Sequence, residues 1–107
     1  MRLKVKGEEM EQQVSNQHIN IGINHYHLHN YKKAIQNLLV GLDRSPHNDL
    51  AWVYLGMSYY MEGDVYKAHQ SFTKLLEYCD NSQIRREAEI ALIRIKNKLE
   101  QALSSPP

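Results

Sequence analysis

The 107-residue sequence has a single cysteine, Cys79, and it contains no long run of apolar residues. A lone cysteine cannot form an internal disulfide, and it is typical of proteins that stay in a reducing compartment. The apolar runs are far shorter than the ~20 residues that a membrane-spanning helix needs. Residues 1–7 also lack the apolar middle segment of a secretory signal. We therefore expect a cytoplasmic protein that does not bind membranes.

An excess of charge of either sign is also missing, because 13 basic residues face 12 acidic ones and the net charge is +1. Nucleic-acid binding usually needs a clear basic excess, so we expect no nucleic-acid partner. Seven tyrosines stand beside one tryptophan and one phenylalanine. Tyrosine has an apolar ring and a polar tip, so this composition suits half-buried surfaces and interfaces.

Residues that could carry chemistry do not form a recognisable catalytic group. His25 and His29 have the i, i+4 spacing of zinc or nickel ligands, but no cysteine or carboxylate stands at a third ligand position nearby. Cys79 and His69 are ten residues apart, which does not bring them to one face of a helix. A glycine-rich phosphate loop is lacking as well. We therefore predict a protein that is not an enzyme, with no cofactor and no metal site.

The chain contains an internal repeat. Shifting the sequence against itself by one fixed number of residues aligns Gly22 with Gly56, Ala34 with Ala68 and Leu38 with Phe72. Within each unit the apolar residues recur at three- and four-residue spacing, which predicts two antiparallel helices per unit. The chain thus divides, within one domain, into a partly helical N-terminal extension (residues 1–14), two repeats (15–48 and 49–82), a capping helix (83–103) and a tail (104–107) that we expect to be disordered.

The pattern Trp52-x-x-Leu55-Gly56-x-x-Tyr59 with Ala68-x-x-x-Phe72 resembles the tetratricopeptide repeat, a helix–turn–helix unit whose length equals this offset. The first unit is a weaker match, with histidines at the Trp and Tyr positions. The resemblance implies an all-α fold: a right-handed α-solenoid of two repeats and a capping helix. The structural positions that it implies are Gly22, Ala34, Pro46, Trp52, Leu55, Gly56, Tyr59, Ala68 and Phe72.

The same resemblance implies that the first helix of each repeat lines a concave groove for a partner. Its groove-facing residues would be Ile19, Ile23, Tyr26, His27, Leu50, Val53, Tyr54, Met57, Tyr60 and Met61. Some family members bind acidic chaperone termini through a clamp of Lys and Asn. Here Ile19, Ile23 and Tyr54 occupy those positions, so we expect no binding of that type.

An apolar groove has two explanations. Either another protein places an amphipathic helix or an apolar peptide in it, or the capping helix or the N-terminal segment covers it. The first explanation predicts a protein–protein interaction module, a small adaptor or cargo chaperone. The alternative function is that of a structural subunit of a homo-oligomer or larger complex, whose apolar faces are permanently buried. Ile90 and Ile93 lie off the apolar face of the capping helix; they could face the open end of the groove, contact a second protein or simply be exposed.

Overall fold

The computed structural model describes the backbone of residues 6–104 and the side chains of residues 14–104. Within these ranges the chain forms five α-helices: α1 Lys6–His27, α2 Tyr31–Arg44, α3 Asp49–Met61, α4 Val65–Leu76 and α5 Ser82–Ser104. The predicted all-α helical-repeat fold is confirmed, and the right-handed sense of the solenoid stays a prediction. Ser104, assigned above to the tail, belongs to α5, and residues 105–107 of that tail lie outside the described residues.

The helices pack chiefly in chain order, α1 on α2, α2 on α3, α3 on α4 and α4 on α5, as in a solenoid. The second helix of each hairpin is amphipathic, and its buried residues recur at three- and four-residue spacing: Ala34, Leu38, Gly41 and Leu42 in α2, and Ala68, Ser71, Phe72 and Leu75 in α4. The α2 stripe belongs to a first core cluster and the α4 stripe to a second, on either side of α3. Trp52 and Tyr59 of α3 pack against both clusters and so join the two hairpins.

The two hairpin turns have the same backbone geometry at equivalent positions of the two repeats. The N–H of His29 donates to the carbonyl of Tyr26 at 3.0 Å, and the N–H of Gly63 donates to that of Tyr60 at the same distance. Both turn residues have positive φ, 64° at His29 and 87° at Gly63. Glycine adopts this conformation without strain, whereas His29 is a side-chain-bearing residue held there by the turn.

Close helix contacts explain the glycines within the helices. A Cβ atom on Gly22 would lie 2.7 Å from Leu38 Cγ, and one on Gly56 would lie 2.7 Å from the Phe72 ring. Since carbon atoms in contact are usually ~3.5–4.0 Å apart, neither position has room for a side chain at this helix spacing. The two glycines therefore set the separation of the helices in their hairpins.

The base of each hairpin is closed by a polar pair at equivalent positions. Ser15 Oγ lies 2.7 Å from Ser45 Oγ, and at the same place in the second repeat Cys79 Sγ lies 3.4 Å from Asp49 Oδ2. Arg85 then fastens α5 to the end of α4, because its Nη1 donates to the carbonyl oxygens of Leu76 and Cys79 at 2.8 and 2.9 Å. This attachment positions α5 beside the second hairpin.

Candidate functional site

A groove of about 450 Å³ lies on one side of the molecule, with walls from α1, α3 and α5. Its lining residues are Tyr26 of α1, Val53, Met57, Tyr60 and Met61 of α3, Phe72 of α4, and Glu87, Ile90, Ala91, Arg94 and Ile95 of α5. The volume is in the range of ligand-binding clefts, and most of the lining is apolar.

The groove has a buried floor and an exposed rim. Val53, Phe72 and Ile95 form the floor and belong to the second core cluster, so they are fixed by the packing of the protein itself. Met61 and Ile90 line the rim and are 51% and 45% exposed. The helix α5, expected above as one of the segments that could cover the groove, forms a wall of it instead.

Three charged side chains of α5 stand at this site. Glu87 and Arg94 line the groove, and both are exposed. Within the described residues neither of them has an ion-pair partner. Lys98 lies one turn beyond Arg94, and its Nζ is 4.8 Å from the centre of the Tyr60 ring, a cation–π contact. The rim therefore has two cations toward the C-terminal end of α5 and one anion nearer its start.

An aromatic cluster supports the α1 side of the groove. The Tyr26 ring makes edge-to-face contacts with His27, Tyr31 and Tyr54, with ring centres 5.3–5.7 Å apart. The Tyr26 hydroxyl also donates to Met57 Sδ at 3.7 Å. Burial, followed by the neighbouring Tyr31 and Tyr54, raises the pKa of Tyr26. These contacts hold Tyr26 and Met57 in place, so this wall is preformed.

The groove brings together five of the ten residues proposed for it from the sequence: Tyr26, Val53, Met57, Tyr60 and Met61. His27 and Tyr54 lie beside it, with their rings 5.6 Å apart in the aromatic cluster, but they do not line it. Val53 differs from the expectation in degree, because it is 7% exposed and serves the core as well as the groove floor.

Three of the proposed groove residues are corrected by the structure. Ile19 is 3% exposed and fills the space opposite Gly41, where a Cβ atom would lie 2.5 Å from Ile19 Cγ1. Ile23 is half-buried and packs against the first core cluster, to which Ile19 belongs. Leu50 is 51% exposed in the first turn of α3, outside the groove. Ile19 and Ile23 lie at the contact of α1 with its neighbours, and Leu50 lies too near the start of α3 to reach the groove.

The sequence prediction missed most of the wall that α5 supplies, although the repeat itself points to three of its residues. The positions one further repeat length along the chain from Val53, Met57 and Tyr60 are Glu87, Ala91 and Arg94. All three line the groove. They were missed because two of them are charged, and charged residues do not indicate an apolar groove.

The two isoleucines of α5 that lie off its apolar face have different environments. Ile90 lines the groove, whereas Ile93 is 59% exposed outside it. Ile90 also occupies the position equivalent to Gly22 and Gly56. A side chain there blocks the close approach that the second helix of a further repeat would need.

The structural repeat positions lie in the core or at the hairpin junction. Ala34 and Ala68 are fully buried, and Leu55 is 2% exposed. Trp52 is half-buried, and its indole lies at the inter-repeat loop. There its Nε1 donates to the Pro46 carbonyl at 2.7 Å.

Tyr78 donates to the same carbonyl at 3.1 Å, and its ring packs 4.5 Å from that of His47. Burial, then the negative charge of Asp49, raises the pKa of Tyr78 to about 12. The loop between the hairpins is thus held by the contact of these two rings and by two hydrogen bonds to one carbonyl.

Other kinds of site find little support in the described part of the chain. No group of three His, Cys, Asp or Glu side chains there is arranged to hold a metal ion. Burial raises the pKa of the Cys79 thiol, which disfavours the reactive thiolate. Among the described helices, none combines the length and the apolar character needed to cross a bilayer.

The two helical hairpins and the groove that they form with α5 define a helical-repeat protein. Residues 49–82, which contain α3 and α4, match the sequence profile of the tetratricopeptide repeat family. The match covers the second of the two predicted repeats, whose sequence pattern had indicated this family. Such repeats suggest a protein–protein interaction module, and the family is typically non-catalytic. Comparisons with curated proteins and with solved structures gave no match.

Proposed function

We propose that this protein is a small adaptor or cargo chaperone that binds an apolar helix or peptide of another protein in its groove. The observation that carries the proposal is an open apolar groove above a rigid floor, with Met61 and Ile90 exposed at its rim. Large exposed apolar surfaces on soluble proteins commonly mark interaction sites. The lone cysteine supports a cytoplasmic location, which is part of the proposal.

The lining favours a protein segment over a rigid small molecule. Methionine is flexible and adapts to different side chains, and Met57 and Met61 stand next to each other on α3. Tyr26 and Tyr60 offer apolar rings with polar tips at the sides of the same groove. A helix with anchors at i, i+3 or i+4, and i+7 is a common occupant of such surfaces.

The test is a selection of displayed 16-residue peptides on the full chain and on two variants. Met61→Glu places a charge in the groove, and we expect it to abolish binding of the selected peptides. Leu39→Glu is the matched control, since Leu39 is 45% exposed on α2 and lies outside the groove. Met61 is preferred to Met57 because Met57 packs against the core, so its truncation would mix folding with binding.

Peptides that bind the wild type and both variants equally well would contradict the groove as the binding site. The structural-subunit alternative rests on the apolar face of α5, which continues to Leu99 and Leu103, where these leucines are 37% and 87% exposed. A stable oligomer in sedimentation that selects no peptides would support that alternative instead.

A further inference from the structure

We infer that the partner segment carries a side-chain carboxylate beside its apolar residues, and that this carboxylate binds Arg94 at the rim of the groove. The inference rests on the proposed function, because it specifies the partner of the same groove. It concerns a side chain within the partner, not a free C-terminus.

The position of Arg94 suits the binding of a carboxylate from the partner. It lines the apolar groove, it is exposed, and within the described residues it has no ion-pair partner. Lys98 is four residues further along α5, so both cations lie on one side of the helix. Because Lys98 lies over the Tyr60 ring, the second cation is held at the same part of the groove.

A partner that covers the groove changes the solvation of these charges. A partner that lies over the apolar floor removes water from the rim, and a charged group that loses water without gaining a partner is unfavourable. A carboxylate opposite Arg94 offsets that loss, whereas a lysine there would add repulsion between like charges. The uncharged floor supplies apolar contact to any such partner. Arg94 then favours the partners that also carry a carboxylate at the rim.

Glu87 restricts the orientation of the bound partner helix. It lines the groove seven residues before Arg94, which is about 10 Å along the axis of α5 at 1.5 Å per residue. Two turns of a partner helix cover the same distance. A partner helix that places an acidic residue at Arg94 and a basic residue two turns away at Glu87 satisfies both charges in only one orientation.

The experiment is a display selection on the full chain with a library of 16-residue helical peptides. The library has Leu, Ile, Met or Phe at i, i+4, i+7 and i+11, and Glu, Gln or Lys at the other positions. The peptides are joined to the display protein at their C-termini, so that no free terminal carboxylate contributes. We expect the wild type to enrich Glu at one fixed position beside the apolar stripe.

A charge swap then assigns that preference. On Arg94→Glu the enriched residue at the same position should change to Lys. Arg86→Glu is the matched control: Arg86 is an exposed arginine of the same helix that lies outside the groove, so the preference for Glu should persist. On Arg94→Gln, a selected Glu peptide should bind about two- to fivefold more weakly, as exposed ion pairs do. The difference should shrink at high salt.

The outcomes separate this inference from the proposed function. Selected peptides that are lost on Met61→Glu, but show no preference for Glu or keep it on Arg94→Glu, overturn the role of Arg94 and leave the groove function standing. Failure to select any groove-dependent peptide contradicts both. If the free chain sediments as a dimer that Met61→Glu dissociates, the occupant is a second copy of the chain, and the inference is also wrong.

Discussion

Replacing Gly56 by alanine tests the packing of the second hairpin, because two opposing effects act at one position. Alanine is favoured over glycine in a helix by about 0.8–1.0 kcal/mol. Against this, the new Cβ atom would lie 2.7 Å from Cε2 and Cζ of Phe72 and 3.0 Å from its Cδ2. The sign of the net change in the free energy of unfolding shows which effect is larger.

The structure favours the steric effect. Phe72 is 2% exposed and lies in the second core cluster, so its ring has little space into which it can move. Overpacking in a well-packed core typically costs about 1–3 kcal/mol. With a contact this short we expect the upper half of that range, which leaves a net destabilisation of about 1–2 kcal/mol for Gly56→Ala. Gly56→Leu should exceed ~2 kcal/mol, since a whole side chain must be accommodated.

Urea unfolding followed by circular dichroism in the far ultraviolet measures the change. With a urea dependence of about 1–3 kcal/mol per molar, the midpoint of Gly56→Ala should fall by roughly 0.3–2 M. The double variant with Phe72→Leu identifies the cause, because removing the ring should reduce the penalty and give a coupling energy of about 0.5–3 kcal/mol. If Gly56→Ala is more stable than the wild type by the helix-propensity difference, the inferred contact with Phe72 is wrong.

Three further predictions concern single groups. The fluorescence of Trp52 should be shifted moderately to the blue on folding, because the ring is half-buried and bonded to the Pro46 carbonyl; a maximum equal to that of free indole in water would contradict this. Zinc in modest excess should not raise the melting temperature, and a saturable rise that disappears in His25→Ala would show that a site exists. The pKa of Tyr78 is about 12 in the folded chain and ~10 in the unfolded chain. The unfolded state therefore loses its proton first, and stability should fall as the pH rises from about 10 to 12. Tyr78→Phe should flatten this part of the pH profile, measured by urea unfolding, and an unchanged slope would exclude Tyr78 as the group responsible.

The local structure of each hairpin could be predicted from the sequence, because it depends on residue types at fixed spacing. Gly63 has the positive φ that its position in the turn between two helical patterns requires. Asp64 follows it and caps α4 through a 3.0 Å bond from the Lys67 N–H. Asn48 caps α3 in the same way, because its side-chain oxygen accepts from the Ala51 N–H at 3.0 Å.

The composition of the groove followed from the sequence only in part. Tyr26 and Tyr60 stand at equivalent positions of the two repeats, and both line the groove. Ile19 and Val53 are equivalent in the same way, yet only Val53 lines the groove. The difference lies on the facing helix, where Gly41 of the first repeat corresponds to Leu75 of the second.

The sequence by itself determined which residues are helical, where the turns lie and which side chains share a face of one helix, because these depend on spacing along the chain. The tertiary structure decided which neighbour each face meets. Ile19 turns inward because Gly41, distant in sequence, leaves space for it. Arg94 becomes part of an apolar groove because α5 is attached to α4 through Arg85 and lies next to α3. Both outcomes depend on contacts with another helix, and the periodicity of a single helix contains no information about such contacts.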